Sequence, residues 1–325
     1  MGTKIARRDV SQGWLVWVAL WTVYIVWGST YLAIRITVET LPPFVNAGFR
    51  FLVAGTVMYG FLAFRRGRAA MSVTPRQLAA SSLVGACLVV GGNGLVVIAE
   101  QTVPSGLASL IIASVPLWVV LFRTVTGDRV SVGTLASVGA GFAGVAILVL
   151  PGDKPEGVTI GGLLLLVLAS ASWAFGSFTS TKLEMPKDPF VSTALQSLAG
   201  GIFLLIGGAI RGEFSGLDVG EFSTASMLAW GYLVVFGSLA AFTAYVWLLQ
   251  HAPISKVATY AYVNPVIALV LGWLILSEEI TITMLVGAVV IVASVAGTVR
   301  RESRKQSAPA DEGVEPAPAM AGADP

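Results

Sequence analysis

The sequence predicts an all-α polytopic membrane protein whose ten transmembrane helices form two inverted five-helix repeats. Three observations carry that prediction. Of 325 residues, 55% are hydrophobic and 12% charged, with a mean hydropathy of +0.82. A soluble domain carries about 25% charged residues. Apolar runs of roughly 20 residues with at most one charge, the length that crosses a bilayer, recur ten times. Landmarks of the first half then return in the second, in the same order, at offsets of 146 to 149 residues.

The runs are 14–34, 44–64, 77–99, 105–122, 132–150, 160–181, 190–210, 226–249, 257–276 and 281–299. Nine hold no charge, and the second holds Arg50. The first is too long for a signal peptide and lacks a small-residue cleavage site before Arg35, so it counts as a span. The expected divisions are a cytoplasmic segment 1–13, repeats 14–151 and 152–300, and a tail 301–325. Its Pro/Ala-rich, acidic stretch, SAPADEGVEPAPAMAGADP, predicts disorder.

Loop charges set the orientation, because Lys and Arg collect on the cytoplasmic side. Loops on one side carry Arg65, Arg66, Arg68, Arg76, Arg123, Arg129, Lys182, Lys187 and Lys256. The alternate loops carry Arg35, Lys154 and Arg211. Lys4, Arg7 and Arg8 in front, and Arg300, Arg301, Arg304 and Lys305 behind, agree with the first set. Both ends are expected in the cytoplasm, as an even number of spans requires.

Spans 4 and 9 are where a cavity is expected. Pro104–Phe122, PSGLASLIIASVPLWVVLF, and Pro253–Leu271, PISKVATYAYVNPVIALVL, each carry prolines twelve residues apart. A proline inside a spanning helix removes a hydrogen bond and bends the helix. Lipid tolerates this only where water, hydroxyls or neighbouring helices reach the freed carbonyl. Pro116 and Pro265 therefore mark helix breaks at a polar centre. Trp27-Gly28-Ser29 also matches Phe175-Gly176-Ser177, and Pro43-Phe44-Val45 matches Pro189-Phe190-Val191, which places Arg50 on Gln196. Five spans per half is an odd number, so the second half enters from the opposite side. That inverted architecture places a binding site near the midplane, at the repeat interface.

The stretches WGSTYLAIR (27–35), GNGLVVIAE (92–100), VPSGLASL (103–110), SWAFGS (172–177) and TYAYVNPVIALVLG (259–272) make the chain resemble the EamA-type permeases. These belong to the drug/metabolite transporter superfamily, and the likeness is greatest to its bacterial inner-membrane branch, often labelled amino-acid or metabolite exporters. It covers all ten spans. The resemblance implies that spans 1, 3, 4, 6, 8 and 9 surround the cavity and that 5 and 10 lie at the edge. It also implies export.

Residue by residue, Arg50 lies seven residues beyond Pro43, about 10 Å into its span at 1.5 Å per residue. A charge at that depth is a functional-site hypothesis, weighed against a structural clamp satisfied by helix-end carbonyls or by Glu100. Glu100, at the end of span 3, either pairs with Arg35 or Arg50, gates the mouth, accepts a proton, or stays in interfacial water. Asn93, among glycines, lines the cavity or helps glue helices together, and Asn264 faces a substrate or caps the turn interrupted at Pro265. Trp27, Ser29, Ser109, Trp173, Ser177 and Tyr260 complete the expected binding set.

The function expected is secondary transport of small neutral, zwitterionic or weakly cationic metabolites such as amino acids. Little fixed charge argues against phosphates, which draw several Lys or Arg. A channel-like or structural membrane protein is the alternative. An intramembrane enzyme is disfavoured, since the spans lack paired carboxylates or His/metal sets. One cysteine, Cys87, and one histidine, His251, offer no metal spacing. No metal, cofactor or nucleic-acid partner is expected. The expected partners are a small-molecule substrate and the lipid bilayer, with a homodimer left open.

Overall fold

Hydrocarbon offers backbone amides no water, so sequence this apolar folds as helix. The computed structural model describes residues 13–67, 71–150, 152–252, 254–257 and 259–307, and holds no strand among them. The spans are α1 (Trp14–Thr37), α2 (Pro43–Arg66), α3 (Pro75–Ala99), α4 (Ser105–Val125), α5 (Val132–Val149), α6 (Ile160–Ser180), α7 (Pro189–Ile210), α8 (Thr224–Tyr245), α9 (Tyr260–Leu276) and α10 (Ile282–Glu302). All but α9 are at least 18 residues long. At 17 residues, α9 is about 26 Å long. Lys4, Arg7, Arg8, Arg68, Pro253 and the tail beyond Ser307 lie outside the described residues. The last helix continues to Ser307, so residues 301–307, assigned above to the tail, are helical.

Helix starts follow local chemistry. Pro43 and Pro189 open α2 and α7, where a missing N–H costs nothing. The Asp188 carboxylate accepts from Phe190 N and Val191 N at the start of α7. The start of α2 is capped from far along the chain, by Glu213 accepting from Phe44 N (2.9 Å) and Val45 N (3.1 Å). Thr74 and Gln77 form a capping box on α3.

The repeats are inverted, as the packing of equivalent helices shows. A Cβ on Gly48 would meet the Gly201 carbonyl at 3.1 Å, and one on Gly55 the Ala194 carbonyl at 3.1 Å. Along α2 and α7 the partner numbers therefore fall as the residue numbers rise, so these mates run antiparallel. In α5 and α10, Gly141 meets Ser294, Gly144 meets Ile291 and Gly287 meets Leu148, again antiparallel. A direct repeat would keep mates parallel. Small residues bring these helices together where lipid supplies no hydrophobic drive. Across the halves α1 packs on α8 and α9, while α6 packs on α3 and α4.

Two features depart from the expected smooth bends. The fourth span is broken rather than bent: helix runs over Ser105–Ile112 and restarts at Val115–Val125, with Pro116 in the new first turn. The Ser114 hydroxyl also donates to the Ile111 carbonyl (2.7 Å), which accepts from Ser114 N as well (3.1 Å). Pro265, marked above as a second helix break, lies inside a continuous helix instead. The other departure is π-helix in both halves, Ala86–Gly94 in α3 and Leu233–Ala240 in α8, starting 147 residues apart. Such wide turns are usually single and occur at functional sites. Each takes a hydrogen bond from the other half: Ser172 Oγ donates to the Cys87 carbonyl (2.9 Å) and Trp27 Nε1 to the Gly237 carbonyl (3.3 Å).

Candidate functional site

Between the halves lies a cavity of about 170 Å³. One water needs at least 10–15 Å³ on that measure, so there is room for about ten waters or one small metabolite. Trp27, Thr30, Tyr31 and Ile34 of α1 face it, as do Leu88, Gly92, Asn93 and Val96 of α3 and Ser109, Ala113 and Pro116 of α4. Ala169 and Trp173 come from α6, Gly237, Ser238 and Phe242 from α8, and Tyr260, Asn264 and Pro265 from α9. None of the lining residues belongs to α5 or α10.

Two further helices contribute. Arg50 and Phe51 of α2 and Thr193, Gln196 and Ser197 of α7 also line the space. Arg50 is the one charged residue among the lining. Its Nε donates to Ser238 Oγ at 2.9 Å, and its guanidinium lies 4.8 Å from the centre of the Phe51 ring. Among the described residues no carboxylate is within ion-pair range of it. The mate position in the second half holds Gln196, whose amide donates to Ser192 Oγ (2.9 Å). The pseudo-twofold symmetry of shape is thus broken by one charge. The cavity therefore has a cation on one wall and an amide on the other.

Aromatic rings close another wall. Trp27 lies 5.0 Å from Tyr245, 5.2 Å from Tyr260 and 6.3 Å from Phe242, ring centre to ring centre. Offset and edge-on rings at these separations attract beyond their burial. They fix a rigid face that suits apolar groups and ammonium groups alike.

Of the expected binding residues, Trp27, Asn93, Ser109, Trp173, Tyr260 and Asn264 share this lining, and so do Pro116 and Pro265. Their polar atoms also serve the backbone. Asn93 Nδ2 donates to the Leu88 carbonyl inside the π stretch (3.2 Å), and Ser109 Oγ to the Gly106 carbonyl (2.7 Å). With its amide turned to donate, Asn264 Nδ2 reaches the carbonyls of Tyr260 and Tyr24, both at 3.2 Å. Ser29 and Ser177 stand apart: Ser29 bonds the Val26 carbonyl and the Tyr232 hydroxyl (2.6 Å), and Ser177 the Trp173 carbonyl. Arg35 and Glu100 also lie outside the lining. The guanidinium of Arg35 donates to the main-chain carbonyls of Glu100 and Gln101, which places it as a cap on the end of α3.

Sequence reasoning passed over Phe51, Ser238 and Phe242 as cavity residues, and treated Gln196 only as a mate of Arg50. That pairing was the available signal. If one member of an inverted pair reaches the central cavity, its mate reaches it too.

The sequence profile of the EamA-like transporter family matches this chain twice, over residues 14–150 and 160–300. An uncharacterized inner membrane transporter of Escherichia coli (strain K12), YedA, is 39% identical over 257 residues, covering 78% of this chain and 80% of its own. The uncharacterized transporter YvbV of Bacillus subtilis (strain 168) is 28% identical, covering 88% and 92%. A probable amino-acid metabolite efflux pump of Salmonella typhimurium is 25% identical, covering 83% and 90%. One solved crystal structure shares the fold at a TM-score of 0.59 and 19% identity, covering 90% of this chain and 99% of its own.

Proposed function

Since the chain belongs to the EamA-like transporter family, we propose that it exports small zwitterionic, neutral or weakly cationic solutes such as amino acids across the inner membrane. It does so by alternating access around the central cavity, with both termini in the cytoplasm. One observation carries the substrate class: the cavity holds a single buried cation, Arg50, with no carboxylate in ion-pair range among the described residues. A planar guanidinium left open in this way matches a carboxylate. The aromatic wall around Trp27 and Tyr260 receives the rest of an amphipathic solute, including an ammonium group. One cation is too little for a phosphate. The efflux name of the Salmonella relative and the inner-membrane name of YedA support the direction and the location.

The purified protein, screened for thermal stability against amino acids and their carboxamides, tests the reading. A solute at about 100 times its Kd stabilises by about 2.7 kcal/mol. At least one free amino acid is expected to raise the melting midpoint more than its carboxamide does. No shift with any member, or equal shifts within every pair, removes the amino-acid reading.

Orientation has its own check. A reporter active only in the periplasm is expected to be silent when fused after Lys305 and active after Gly216. The reverse pattern inverts the topology.

A further inference from the structure

One carboxyl group in the protein has no use in the cavity. Glu100, at the end of α3, is 0% exposed, and neither carboxyl oxygen accepts a hydrogen bond from any described residue. Val96, one turn earlier, lines the cavity, so Glu100 lies just beyond one end of it.

The charged and titratable groups around Glu100 make no hydrogen bond to its carboxyl. From α1, Arg35 gives its guanidinium to the main-chain carbonyls of residues 100 and 101, not to the carboxylate. Tyr31, also on α1, faces Glu100 electrostatically and lines the cavity. From α2, Arg50 is turned to Ser238 and Phe51. From the connection after α9 comes Glu278, the only other carboxylate acting on the site among the described residues. It accepts from Ser105 N (2.8 Å), Gly106 N (3.1 Å) and Ser105 Oγ (3.0 Å), capping α4. Glu278 thus has three donors at a helix N-terminus, where Glu100 has none. A negative charge on Glu100, buried and without one hydrogen bond, is costly, and a carboxyl in that position takes up a proton instead.

We propose that Glu100 is a proton-binding site, filled while this end of the bundle is closed and emptied when it opens. Opening admits water to the carboxyl and frees Arg35 to turn from the backbone carbonyls to the carboxylate. Both changes favour release of the proton. The proton enters the closed site from the opposite side by way of the cavity, which Val96 and Tyr31 line. One proton therefore leaves with the solute per cycle, on a group separate from the cavity. Only this coupling rests on the transport reading; the proton site itself does not.

The first test therefore uses no substrate. The purified protein in lipid nanodiscs is titrated from acid through neutral to alkaline pH, and the infrared stretch of protonated carboxyl groups is followed. One such band is expected at neutral pH, declining on alkalinisation. It should be absent in E100Q, the isostere of the protonated acid, and present in E278Q. Its absence from the wild type at neutral pH, its survival in E100Q, or its loss in E278Q alone overturns the site.

The second test uses proteoliposomes loaded with a fluorescent pH indicator and an amino acid found in the thermal screen. Wild type is expected to alkalinise the lumen as that solute leaves it, while E100Q exchanges the solute with no pH change; acidification instead overturns the coupling. Solute movement by wild type without proton movement overturns the coupling while transport itself stands.

Discussion

Replacing Arg50 with glutamine is expected to weaken binding of a carboxylate-bearing solute by about 10- to 100-fold while leaving its carboxamide nearly unaffected. The magnitude follows from hydrogen bonds to charged groups, worth about 1.5–3 kcal/mol, at 1.4 kcal/mol per factor of ten. Glutamine suits the test because the mate position already carries Gln196, facing the same cavity from α7. The variant makes the two walls chemically alike without adding volume. Lysine at position 50 keeps the charge but loses the planar fork, and is expected to recover only part of the affinity. A purely structural role for Arg50 predicts something else: loss of stability with acid and amide weakened together. Calorimetric titration of both ligands against wild type, R50Q and R50K separates the two outcomes. Unchanged affinity for the acid in R50Q removes Arg50 from recognition.

The largest structural effect is expected from a single methyl group. A Cβ on Gly85 would lie 2.5 Å from the backbone oxygen of Gln196 and 3.0 Å from its Cα. Backbone cannot rotate aside as a side chain does, so α3 and α7 must move apart. Overpacking of this kind costs about 1–3 kcal/mol. The residue also stands directly before the π stretch of α3, opposite Gln196. G85A is expected to lower the melting midpoint and to weaken solute binding together. The control is G139A, where a Cβ meets nothing within 4 Å. There alanine removes the conformational cost of glycine and is expected to be neutral or stabilising by up to about 1 kcal/mol. Equal stability of the two variants would mean that the α3–α7 contact yields freely.

The spans and their inversion were legible because both rest on composition. Uncharged length locates a helix in lipid wherever its partners lie. Pro43 and Pro189 mark equivalent helix starts by local chemistry alone. Pro116 was half legible: the proline signals a disturbed helix, but whether the helix bends or stops depends on the packing around it, and here it stops at Ile112 and restarts at Val115. The π stretches left no trace of that kind. A helix apolar on every face has no polar stripe whose phase would reveal a change in period. Glycines 91, 92 and 94 suggested close packing, which they do provide, against Ser172, Trp173 and Leu204. The burial of Glu100 was out of reach of sequence, since it depends on how the ends of α1, α3, α4 and α9 close together.

The crossing of the halves, with α1 held by α8 and α9, bears on how the chain is made. The first helix enters the membrane some two hundred residues before its partners exist. Its Trp27 N–H waits for the carbonyl of Gly237. Its neighbour α2 waits likewise for the cap that Glu213 provides. A nascent chain that has delivered only five helices holds donors in hydrocarbon with nothing to receive them. The first half is therefore an unfinished surface during synthesis, and the cavity, its polar lining and its stability arrive together when the ninth helix docks.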